Sequence, residues 1–327
     1  MTKTSTNQSR RVILPIRIGV SRCLLGDEVR YDGGHKRDRF LTDVLGRYVE
    51  WVPICPEAEA GFGTPREAMR LVGDAKKPQL ITIKTERNVT KPLMMFTERK
   101  LETIETADLS GYVFKKDSPS CGIARVRIFN RQGMPSRSGV GLFAQAFMER
   151  FPLVPVEDEG RLCDPVLRDN FIERVFSFHR WQQLARGPLT RQAVVEFHTN
   201  QKYLLLAHSR HHYQQLGHLV AQANRYRPED LIQRYGALFM EALAVTATRR
   251  KHVNVLQHLI GHMKEQLKDA ERAEIDEVIE DYRQRLVPLV VPLTLVKHHA
   301  WRYRIGYLRD QVYLNPHPKE LKLRNHI

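Results

Sequence analysis

The chain has 327 residues, four cysteines and a formal charge of +15 at pH 7, from 52 Lys and Arg against 37 Asp and Glu. That length allows two domains, each with its own core, and four cysteines are too few for a disulfide scaffold of this size. The opening MTKTSTNQSRR is polar and no stretch reaches the roughly 20 apolar residues of a membrane span, so the protein is read as cytoplasmic, where cysteines more often bind metals or act chemically. Excess positive charge favours a polyanionic partner such as nucleic acid, although many basic proteins bind none.

After a tail over 1–14 that is expected to be disordered, short apolar runs alternate with helical patterns. IRIGV at 16, YVEWVPI at 48, LITI at 80, YVF at 112 and PLVPV at 152 read as strands. RDRFLTDVLGR, TERKLETIETAD and VGLFAQAFMER carry apolar residues at three- and four-residue spacing and read as helices. The alternation predicts an α/β domain over 15–160, Rossmann-like, with a mostly parallel sheet. The acidic, proline-containing stretch PVEDEGRLCDPVLRDN suggests a linker at 161–170. Beyond it helical patterns follow one another without a strand, which predicts an all-α domain over 171–327, with helix starts at Thr190, Pro228 and Asp269. This half holds 24 Lys and Arg against 15 Asp and Glu, a balance of +9, and every histidine except His35.

Three of the cysteines follow predicted strands. Cys23 lies in GVSRCLLG, Cys55 closes VEWVPIC, and Cys121 sits in the turn KKDSPSCGIARV after GYVF. If those strands are parallel members of one sheet, their carboxyl ends share the edge where open α/β sheets build their sites. Zinc would ask for a fourth ligand and for close Cys-x-x-Cys pairs, which are absent. A cubane iron–sulfur cluster held by three thiolates would keep one iron open. Buried structural thiols satisfy the same spacing, and the residues alone leave these readings open.

The segments GVSRCLLGDEVRYDGGHK, CPEAEAGFGTPREAMRLV and KKDSPSCGIARV, in this order, resemble the signature segments of the thiouracil desulfidase family. The likeness spans roughly residues 15 to 160. It implies a [4Fe-4S] cluster on Cys23, Cys55 and Cys121 whose fourth iron receives a thiocarbonyl sulfur. It also implies Glu57 as the catalytic base for water and Ser118 as the active-site serine. Arg22 departs from the pattern, which expects a small residue before the cysteine, and Cys163 has no counterpart in it. Without the resemblance, Glu57 is a helix-start carboxylate and Ser118 an ordinary turn residue.

Arg30, Tyr31 and Asp32, in the loop RYDGGHK, are candidate substrate-binding residues. The helical half is similar to the domain often fused behind this one, and such fusions look like desulfidases of 4-thiouridine in transfer RNA. The expected reaction replaces C=S with C=O, releases hydrosulfide and needs no net electron transfer. Lys202, Arg210, Arg249, Arg250 and Lys251 are the candidate RNA contacts, with Tyr203 or Tyr213 available to stack on a base. Two other readings stand beside this one: a desulfidase of free thiopyrimidines such as 2-thiouracil, and a non-catalytic iron–sulfur or RNA-binding regulator.

Overall fold

The computed structural model describes residues 15–130, 132–188 and 190–326. The expected disordered tail, 1–14, lies outside the described residues. In chain order the first half contains strands β1 (Arg17–Ser21), β2 (Glu50–Ile54), β3 (Met69–Val72) and β4 (Gln79–Thr82), then helix α1 (Thr90–Ala107). Strands β5 (Leu109–Phe114), β6 (Val126–Phe129) and β7 (Pro135–Gly139), helix α2 (Leu142–Arg150) and strand β8 (Val156–Asp158) follow.

An all-parallel sheet in the order β2-β1-β5-β8 forms the centre, as the alternating pattern predicts. The run LITI at 80 is not part of it. It forms β4, antiparallel to β3, in a second sheet of order β4-β3-β6-β7 whose β3–β6 pairing is parallel. RDRFLTDVLGR, expected as a helix, makes a π turn over Phe40–Val44 and a 3-10 turn over Leu45–Arg47, and still buries Leu41 and Leu45.

The parallel sheet is covered on both faces, which is why every residue of β5 is buried and all but Ser110 are apolar or glycine. On one face Tyr112 and Phe114 stack at 3.9 Å and pack with Leu101 and Ile104 of α1 and Phe143 and Phe147 of α2. On the other, Ile18, Val20 and Val113 meet Phe171, Ile172 and Val175. Those last three belong to α3 (Pro165–Arg186), started by Asp164, whose carboxylate accepts from the N–H groups of Val166 and Leu167, with Pro165 in the first turn. Residues 161–170, expected as a linker, therefore hold a 3-10 turn (Arg161–Cys163) and the opening of α3. A Cβ on Gly111 would lie 2.7 Å from Val175 Cγ2, so β5 carries no side chain where α3 crosses it. Burial of each large apolar side chain in this seam is worth roughly 1.5–3 kcal/mol.

Helices α4 (Arg191–His208), α5 (Arg210–Ala221), α6 (Pro228–Ala244), α7 (Arg249–Gly261), α8 (Asp269–Arg283) and α9 (Val290–Arg302) build the second core. Thr190 caps α4 by accepting from Ala193 N, and Pro228 opens α6. Asp269 is the first residue of α8, one place after its cap, Lys268. Phe178 and Trp181 of α3 belong to this second core, so one helix serves both halves. The C-terminal segment repeats the arrangement: Tyr313 and Leu314 pack with the helices, while Leu321 packs under the parallel sheet. Its Arg324 Nε donates to Glu173 Oε1 of α3 at 2.8 Å, and His208 Nε2 lies 3.1 Å from Glu173 Oε2. Burial alone would raise the Glu173 carboxyl, and Arg324 with His208 reverses this and holds it well below the usual carboxylate range. No helix among the described residues is long and apolar enough to cross a membrane.

Candidate active site

Parallel pairing sets Ser21 opposite Ile54 and Val20 opposite Val113. The chain leaves all three strands at one edge, and each exit leads to a cysteine. Cys23 lies two residues past β1 in a 3-10 turn, Cys55 directly follows β2, and Cys121 lies in the turn beyond β5. A cavity of ≈ 460 Å³ opens there, and all three buried cysteines line it with Ser21, Arg22, Arg30, Tyr31, Lys36, Glu57, Arg66, Lys115, Lys116, Asp117 and Ser118. Cys163 is exposed, and its thiol meets the Glu159 carbonyl at 3.5 Å.

Removal from water raises all three thiols, Cys23 to about 11 and Cys121 well above its usual value. Burial is the largest cause for each, followed by Cys55 for Cys23 and by Glu57 for Cys121; for Cys55, nearby backbone N–H groups work against it. Among the described residues no three His, Cys, Asp or Glu side chains are arranged to share a single metal ion. The donor set is thus three soft sulfurs from three chain segments around one space. Soft thiolate donors of this kind suit iron–sulfur ligation.

Glu57 and Ser118 reach the same cavity by different means. One Glu57 oxygen, Oε2, accepts from Arg66 Nε at 2.9 Å and from Arg66 Nη2, while Oε1 accepts from Ser120 Oγ at 2.8 Å. Ser118 Oγ accepts from Ser120 N at 3.2 Å and Cys121 N at 3.1 Å. Both hydroxyl lone pairs are thereby used to shape the turn that carries Cys121, and the hydroxyl proton is left to donate. Sequence reasoning missed Arg66 and Ser120. The proline before Arg66 and the serine-rich turn around Ser120 were visible signals of fixed backbone, but nothing in the pattern aimed either side chain at Glu57.

Arg30 and Tyr31 line the cavity, with the Arg30 guanidinium 5.4 Å from the Tyr31 ring centre. Asp32 does not line it. Its carboxylate accepts from Arg30 Nε at 3.3 Å and from Gly34 N at 3.1 Å, bracing the loop from outside. Arg22 is half exposed and pairs with Asp27 at 2.5 Å.

None of the candidate RNA contacts lines this cavity. Arg210 and Arg250 are exposed. Arg249 donates to Tyr282 O at 2.5 Å, Lys251 donates to His208 O at 2.5 Å, and the Lys202 ammonium sits 5.5 Å from the Tyr203 ring centre. Tyr203 is 2% exposed and so is part of the core, not a platform for a base. Tyr213 is partly buried and stacks on His198 at 6.1 Å.

The Cys121 turn rests on Gly141, whose N–H donates to Gly122 O at 2.7 Å. A Cβ at that position would lie 2.5 Å from Ser120 C and 2.7 Å from Cys121 N, backbone atoms that cannot rotate away. Gly141→Ala is expected to displace the turn, lower stability by about 1–3 kcal/mol and speed modification of Cys121 by a thiol reagent. Thermal unfolding with mass-mapped thiol labelling checks this; unchanged labelling of Cys121 would mean that the turn tolerates the extra methyl.

With this geometry in place, comparison with known proteins adds the family. Residues 18–159 match the family model described as 2-thiouracil desulfurase, and residues 202–318 match the one described as protein of unknown function (DUF1722). The chain is 31% identical over 158 residues to YbgA of Escherichia coli (strain K12), described as uncharacterized, spanning 48% of this chain and 94% of YbgA. It is 32% identical over 108 residues to YbbK of Bacillus subtilis (strain 168), described likewise, spanning 32% of this chain and 71% of YbbK. Among solved structures it is similar to TudS, a [4Fe-4S]-dependent thiouracil desulfidase, at 28% identity and a TM-score of 0.38, over 47% of this chain and 97% of TudS. The chain belongs to the 2-thiouracil desulfurase family, with its thiopyrimidine desulfidase domain fused to a helical DUF1722 region.

Proposed function

We propose that this protein is an iron–sulfur desulfidase that replaces the thiocarbonyl sulfur of 4-thiouridine in transfer RNA with oxygen from water and releases hydrosulfide. The observation that carries the reading is the meeting of Cys23, Cys55 and Cys121 in one cavity with Glu57 and Ser118. A [4Fe-4S] cluster on the three thiolates would leave one iron to act as a Lewis acid toward the thiocarbonyl sulfur.

The chain's own residues do the rest. Glu57 takes the proton of the water that attacks the ring carbon. Ser118 donates its free hydroxyl proton to a ring heteroatom that gains charge as the C=S bond is lost. Arg30 presents a planar fork to a pyrimidine oxygen or a phosphate, with Tyr31 beside it as a stacking surface. Oxygen enters from water, sulfur leaves as hydrosulfide, and no electron is gained or lost, so the reaction requires no flavin or nicotinamide.

Transfer RNA as the substrate rests on the basic helical half, in which Arg210 and Arg250 are exposed. A thiolated base within folded RNA must be turned out before its sulfur enters the cavity. Free thiopyrimidine as the substrate has one observation in its favour: every residue lining the cavity lies between Ser21 and Cys121. Deleting the helical half does not separate these substrates cleanly, because removing α3 strips Phe171, Ile172 and Val175 from the sheet. Charge reversal of exposed residues leaves that seam intact.

Two outcomes are expected. Glu57→Gln should keep its iron, sulfide and visible absorbance and lose about 10²–10⁴-fold in kcat on 4-thiouridine, measured anaerobically; full turnover would remove Glu57 as the base, and a cluster-loaded parent protein without turnover would favour the regulator. The pair Arg210→Glu and Arg250→Glu should lower turnover of thiolated transfer RNA at least about tenfold, with a shallower salt dependence, and leave free 4-thiouridine unaffected. Equal rates on RNA before and after reversal would leave free thiopyrimidines as the substrate.

A further inference from the structure

Arg66 is nearly buried at the back of the cavity, with 6% of its side chain exposed, and Glu57 beside it is 12% exposed. Four of the five guanidinium N–H donors are engaged. Nε and Nη2 hold Glu57 Oε2, while Nη1 donates to Val29 O at 2.9 Å and to Gly63 O at 3.0 Å. The Val29 carbonyl also accepts the Cys55 thiol at 3.7 Å. Ser120 Oγ takes the other Glu57 oxygen, so the carboxylate is gripped at both ends.

A buried carboxylate needs a counter-charge for stability alone, and a lysine would supply it. What an ammonium cannot supply is a planar fork fixed to two backbone carbonyls on one side and to a carboxylate on the other. We infer that Arg66 is the positioning residue of this site, setting the plane of Glu57 so that its remaining lone pairs face the attacking water. This rests on Glu57 acting as the base.

A double-mutant cycle with Arg66→Lys and Glu57→Gln tests it, because a residue that acts only through Glu57 has nothing to lose once Glu57 is neutral. Arg66→Lys keeps the charge, and is expected to keep iron content and thermal midpoint near those of the parent. Its kcat should fall about 10- to 100-fold, with KM within about threefold. In the Glu57→Gln background the same substitution should cost less than about twofold, measured in single turnovers. In the metal-free protein, the carboxylate infrared band assigned to Glu57 by its Gln difference spectrum should shift in Arg66→Lys.

Equal losses in both backgrounds, or an unmoved carboxylate band, would overturn the positioning role while leaving Glu57 as the base. A lower melting point with an unchanged kcat per bound iron would reduce Arg66 to a structural pin. Full activity of Glu57→Gln would remove the base itself, and the proposal with it.

Discussion

In-register parallel pairing of β1 with β2 and β5 is the constraint on which the rest of the structure depends. Ile18, Val20 and Val113 face α3, while Tyr112, Phe114 and Ile54 face α1 and α2. A slip of one residue would exchange the two faces of a strand and bury the wrong set, so packing on both faces fixes the register. Register in turn fixes where the chain leaves each strand, and each exit carries a cysteine. Apolar packing on the two faces of the sheet thus decides whether three thiols distant in sequence share one space.

Electrostatics at this edge are a contest between burial and charge. Arg22, Arg30, Lys36, Arg66, Lys115 and Lys116 line the cavity against Glu57 and Asp117. Lys115 and Arg30 both favour the Cys23 thiolate, yet burial outweighs them and the thiol is raised to about 11. Burial disfavours the thiolate form at all three positions, and an electropositive core is what would turn these sulfurs into ligands. Arg22, Lys36 and Lys116, the exposed members of this set, suit an anionic partner at the mouth, which keeps nucleotide and RNA chemistry compatible with the same geometry.

Much of this arrangement was legible in the sequence. The runs at 16, 48 and 112 carry β-branched and aromatic residues and end in turns, and they became β1, β2 and β5 with the cysteines just beyond. Of the second sheet only β4, the run at 80, was legible, because β7 reads PSRSG and β6 is four residues long, too short to set a period-2 pattern. The acids and the proline at 161–170 also have local work that composition does not reveal: Asp164 and Pro165 start a helix. Helical periodicity also says nothing about which core a helix joins, and α3 joins two. Arg66 and Ser120 were invisible for a related reason, since polar loop residues become part of a site only through the partner that folding brings to them.

The shared helix makes the two halves one structural unit, with the C-terminal segment as a second tie. Arg324 reaches Glu173 from 151 residues away, and Leu321 inserts beneath the parallel sheet. The central claim remains local: three thiols around one cavity hold one inorganic core. The most direct measurement is an anomalous difference map at the iron edge from crystals grown and kept without oxygen. The account predicts a single compact group of iron peaks bounded by Cys23, Cys55 and Cys121, with one iron lacking a cysteine and facing Glu57. Iron bound elsewhere, or a cavity in which fully loaded, active protein shows no iron, would contradict it.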